Sequence, residues 1–138
     1  MNVSRLVLAA AAAFVAYFAL GFLFFASGPL RNEYARYPAV YRSQESMKGV
    51  MPAGMAAMLL AMLVLAVLYA MIEPGGSALA SGARFGALVG VFAVCAFVVH
   101  NHVNLNIGWK LTLGQALAYF VEWVVVGIVI GLVYRPKA

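Results

Sequence analysis

Apolar residues in this chain neither alternate nor follow a single helical stripe. They run in unbroken blocks, at about residues 6–26, 50–72, 85–103 and 111–134. Each block reaches about 18 residues or more with almost no charge, the length needed to cross a hydrocarbon core about 30 Å thick. Lipid offers no partner for exposed peptide groups, so such a block must be helical or belong to a closed barrel. Barrel strands alternate in hydropathy, and continuous apolarity therefore predicts helices. The expected fold is all-α, an integral membrane four-helix bundle with antiparallel up-down helices, forming one transmembrane domain over residues 1–138.

Composition sharpens this picture. Only 9% of the side chains are charged, against roughly 25% in soluble domains, and mean hydropathy is +0.98. Too few polar groups are present to cover a water-facing surface. The first block, flanked by Arg5 and by Ala26-Ser27-Gly28, imitates a signal peptide. It is longer than the roughly 7–15 apolar residues of such a segment, and it reads as a retained helix.

Charge at the helix ends does not set the orientation. Four crossings place Arg5, Arg84, Arg135 and Lys137 on one side and Arg31, Arg36, Arg42, Lys48 and Lys110 on the other, which is near balance under the positive-inside rule. The formal charge of +5 is scattered over both ends, which suits anionic headgroups and not nucleic acid.

One connection is long. Residues 28–49 hold Tyr34, Tyr37 and Tyr41 among Arg31, Arg36, Arg42 and Lys48. Tyrosine beside basic residues suits the headgroup layer, so this loop is expected to lie at the interface or to dock a partner. The second connection is a turn around Pro74, Gly75 and Gly76, and the third is a few residues near Gly108, making the last two helices a hairpin.

Small residues mark packing faces. Gly82, Gly86 and Gly90 recur every fourth position, and the last helix offers Gly114, Gly127 and Gly131. Such patterns let backbones approach in membranes, within one chain or between copies. Met51, Met55, Met58 and Met62 share a face of the second helix, which is adaptable packing.

Two places could carry chemistry. "HNHVNLN", residues 100–106, concentrates five polar side chains. At about 100° per residue they point all round a helix, so the segment should end the third span at the interface. His100 and His102 diverge by about 200° on a helix and could not share an ion, and no metal site is expected. Glu122 lies near the middle of the last block, where an ionised carboxylate costs at least ~2.5 kcal/mol. Depth along the hairpin brings it within possible reach of His100, Asn101, Asn104 and Tyr119. The group is either a structural lock between helices, a carrier of a proton or cation, or a contact to another subunit. His102 and Asn106 join the loop tyrosines and arginines as interfacial or partner contacts. The lone Cys95 excludes an internal disulfide.

"YPAVYRSQESMKGVMPAGMAAMLLAMLVLAVLY", "GARFGALVGVF" and "VEWVVVGIVIGLVYRP" together resemble a group of small uncharacterised bacterial four-helix membrane proteins that form a domain of unknown function. The likeness covers most of the chain beyond the first helix. It implies a multi-pass protein of the bacterial cytoplasmic membrane and lends no activity. The His- and Asn-rich end of the third helix departs from that group's pattern.

No nucleophile with its base, phosphate loop or dinucleotide fingerprint is present, and the chain reads as no enzyme. The expectation is a structural or accessory subunit of a membrane assembly, held to lipid and to other subunits or its own copies. The alternative is a small proton-coupled or cation transporter using Glu122. No resident cofactor is expected, with contact to a quinone, pigment or haem left open.

Overall fold

The computed structural model describes residues 2–72 and 75–135, and among these it contains helices and no strand. Pro74 of the second connection and Lys137 lie outside the described residues. Four helices are long and apolar enough to cross a membrane, Val3–Ala26, Met51–Ile72, Ala78–Asn104 and Trp109–Tyr134. The first comprises α1, Val3–Gly21, and a π-helical turn over Phe22–Ala26. Two short helices follow in the long connection, α2 (Arg31–Ala35) and α3 (Gln44–Lys48), and then α4 (Met51–Ile72). The third span joins α5 (Ala78–Ala93), a π-helical stretch over Val94–Val99, and α6 (His100–Asn104). The last is α7 (Trp109–Tyr134).

The third span begins seven residues before the expected 85, because "ALASGAR" is already helical behind Ser77. Its small residues explain why it stays ordered against the end of α7. A Cβ on Gly82 would lie 2.5 Å from the carbonyl oxygen of Gly127, and one on Gly86 would lie 2.8 Å from the Cα of Val124. Hydrogen at these positions lets two backbones touch, which is how helices gain van der Waals contact where water drives nothing together. Gly131 meets Ala78 and Gly82, and Gly90 meets Phe120 and Trp123. Gly114 differs, facing the side chain of Leu30 in the long connection.

The opposite side of α7 packs on α1. There Ala9, Ala10 and Ala13 are fully buried with Val126 and Ile130, recurring at the three- and four-residue intervals that keep one helical face inward. α4 closes the bundle at one end only. Met62, Ala66, Tyr69 and Ala70 are buried, whereas Met51 to Ala57, Leu59 and Leu60 are all exposed. The methionine face therefore divides, with Met62 inside, Met58 half-buried, and Met51 and Met55 exposed.

Candidate functional site

The long connection does more than rest on the surface. It folds over the end of the bundle where α7 begins. Glu33 accepts from Lys110 at 2.5 Å and from Arg36 at 3.3 Å. The Tyr37 hydroxyl accepts from the Gly108 amide at 2.9 Å, satisfying a backbone donor that a helix N-terminus otherwise leaves orphaned. Deeper, the Gln115 amide donates to the hydroxyls of Tyr34 at 2.6 Å and Tyr41 at 3.2 Å. Leu30, Ile107, Leu111 and Ala118 form a second apolar core beneath this cap.

The capping ion pair sits at the end of the bundle, with the Lys110 and Arg36 side chains exposed. Its bonds with Lys110 and Arg36 hold the Glu33 carboxyl below the usual carboxylate range, even against partial desolvation. Burial pushes the Tyr34 phenol well above its ordinary value. The neighbouring phenol of Tyr119 adds to that, the Gln115 bond opposes it, and Tyr41 and the Glu122 carboxylate push further upward.

Glu122 occupies the middle of α7 and is completely buried. Among the described residues, neither carboxylate oxygen has a hydrogen-bond partner. Its environment is built by one face of α1. A Cβ on Gly21 would lie 3.4 Å from Oε1, so the carboxylate has room because that position lacks a side chain. Tyr17, one turn back from Gly21, packs its ring 5.4 Å from Trp123. Phe25, one turn ahead, lies 5.0 Å from Tyr119 and 5.9 Å from Tyr34. The π-helical turn of Phe22–Ala26 directly follows Gly21, an irregularity that often accompanies functional positions. From the carboxylate outward, α7 presents Tyr119 and then Gln115, which hands over to Tyr34 and Tyr41.

This differs from the grouping expected along the hairpin. Tyr119 is beside Glu122, but His100, Asn101 and Asn104 are exposed on α6 and none bonds to the carboxylate. The rotation of the last helical turn about its axis decides this, and residue depth does not report it. His102 turns to the hairpin instead. Its Nδ1 lies 2.8 Å from the Thr112 hydroxyl, and its ring stacks 3.9 Å from that of Trp109. Asn106 is exposed, as are Arg31, Arg36 and Arg42. Tyr17, Gly21 and Gln115 were missed, because a tyrosine, a glycine and a glutamine within apolar helices read singly as ordinary membrane residues. The four-residue spacing of Tyr17, Gly21 and Phe25 was the available signal.

A buried carboxylate without a donor or a counter-charge can accept a proton or hold a small cation. Among the described residues, no three His, Cys, Asp or Glu side chains cluster to hold a metal ion.

A family profile described as a protein of unknown function, DUF1761, matches residues 8–131. No curated protein and no solved structure matches the chain.

Proposed function

The chain belongs to the DUF1761 family of proteins of unknown function, and we propose that it is a small membrane bundle that binds and releases a proton or small cation at Glu122. The observation that carries this reading is the complete burial of a carboxylate whose two oxygens find no hydrogen-bond partner among the described residues. Buried polar groups are nearly always hydrogen-bonded, and ionisable residues at mid-membrane are functional by default. A purely structural lock would have been bonded to something. The phenols and the amide between Glu122 and the capped end supply exchangeable protons and oxygen acceptors along the route by which a cation would arrive. Charge cannot rest uncompensated at that depth, so Glu122 is neutralised by whichever cation it carries.

The test is proton flux in sealed proteoliposomes loaded with a pH-sensitive dye and given a pH gradient. Wild-type protein dissipates the gradient, Glu122→Gln does not, and Glu122→Asp keeps part of the flux. Equal flux in wild type and Glu122→Gln refutes the reading.

Sequence alone favours an accessory subunit, and one observation supports that second reading. The half of α4 from Met51 to Leu60 leaves the bundle, so its packing potential is unused within the chain. Native mass spectrometry of protein extracted at natural abundance separates the two. A defined heteromeric mass favours a subunit, and a monomer or homo-oligomer favours an autonomous carrier.

A further inference from the structure

A groove of about 510 Å³ runs down the outside of α7 at the capped end. Phe24, Leu30, Gly114, Leu117, Ala118 and Val121 make it apolar, and Glu33 with Lys110 stand at its mouth. We infer that this groove is a binding site for one acyl chain of an anionic membrane lipid, with the lipid phosphate at Lys110. The inference is independent of any role for Glu122.

Three features select that occupant. The first is length. From Lys110 to Val121 the helix rises about 16 Å, close to the half-thickness of a hydrocarbon core about 30 Å thick, so the groove matches one leaflet. The second is charge. At the mouth Lys110 pairs with Glu33, whose carboxylate also binds Arg36 just beyond the groove, so two cations share one carboxylate. Their side chains are 74% and 66% exposed while that of Glu33 is 13% exposed, so the cations and not the carboxylate are open to an incoming phosphate. Arg31, also exposed, stands two positions before Glu33. Basic pockets at such depth recognise anionic headgroups. The third is the floor. Gly114 lets Leu30 close directly onto α7, since a Cβ there would lie 2.5 Å from Leu30 Cδ2, and the two residues together line the groove. A soluble phosphate compound would find the mouth but leave the apolar length unfilled, which makes the lipid the better match.

Native mass spectrometry of the whole protein, with phosphatidylglycerol and phosphatidylcholine of identical chains added in equal amounts, tests this. The expected result is retention of one phosphatidylglycerol in preference to phosphatidylcholine. Lys110→Gln lowers that preference about fivefold, the effect of one cation near an anionic surface. Gly114→Leu, filling the floor, lowers retention of both lipids, and Leu117→Trp, crowding the groove from its exposed rim, does the same should displacement of Leu30 unfold the first variant. Equal retention of the two lipids by wild type overturns the inference. So does retention unchanged in both groove variants, or a homodimer that disappears when the groove is filled, which would make a second copy the occupant.

Discussion

The Gln115 side chain donates its amide to the Tyr34 hydroxyl across 2.6 Å, joining residues 81 positions apart. One neutral hydrogen bond thus ties the long connection to the last span, within two turns of the start of that helix. Tyr41 shares the same donor, and its ring packs edge-on 4.6 Å from that of Tyr34.

Removing the acceptor should loosen the cap without collapsing the bundle. In Tyr34→Phe the ring contacts with Phe25 and Tyr41 survive, and Gln115 keeps its longer bond to Tyr41. The expected cost is about 1 kcal/mol, the net worth of an ordinary hydrogen bond. Thermal unfolding in detergent measures it. Amide exchange within residues 28–42 should accelerate more than exchange in α5 or α7.

The glycine contact between α5 and α7 should be far less forgiving. Gly86→Ala puts a methyl group against the backbone of Trp123 and Val124, and backbone cannot move aside as a flexible side chain can. Overpacking of this kind costs about 1–3 kcal/mol. Gly54→Ala is the control, because among the described residues nothing lies within 4 Å of a Cβ there. It should leave stability unchanged or raise it by up to about 1 kcal/mol, the helix-propensity gain of Ala over Gly. Equal effects of the two substitutions would mean that the close approach does not stabilise the bundle.

These contacts show what could be read from the chain and what could not. The four spans were visible because lipid solvation demands long apolar blocks, and the glycine stripes because their four-residue spacing fixes a face. The early start of the third span was hidden by Arg84, whose charge suggested a boundary. It is exposed near the helix end, where a long basic side chain can reach the headgroups. The cap was hidden for a different reason. Tyr34, Tyr37 and Tyr41 have the composition of a headgroup anchor, and only the fold of the connection decides whether a phenol meets lipid, a partner or Gln115. The neighbours of Glu122 depended on the rotation of α1 about its axis, which an almost uniformly apolar sequence encodes weakly.

Acid should release the cap. The folded state holds the Glu33 carboxyl below the usual carboxylate range, chiefly through its bond with Lys110. A group whose folded pKa is depressed contributes stability above its unfolded pKa and loses it as pH falls through the folded value. Anchoring of residues 28–42 should therefore be constant near neutrality and weaken below the ordinary carboxylate range. Hydrogen exchange at a series of pH values, corrected for intrinsic rates, reads this out. Glu33→Gln should remove the acid dependence, leaving a weaker cap at all pH values.

Replacing Glu122 distinguishes a functional group from a structural one through stability alone. If the carboxylate locked α7 to α1, its loss would remove bonds and destabilise the bundle. Both oxygens lack partners among the described residues, so no bond of that kind is there to lose, and a buried polar group left unbonded costs roughly 1–3 kcal/mol. Glu122→Leu, placing an apolar group of similar size beside Gly21 and Trp123, should therefore stabilise the protein by an amount in that range while abolishing proton flux. Such a trade, in which stability is forgone where activity needs a strained or unbonded buried polar group, is common at functional sites. Unfolding of wild type, Glu122→Leu and Glu122→Gln in the same detergent decides the matter, and a destabilised Glu122→Leu would return the carboxylate to a structural role.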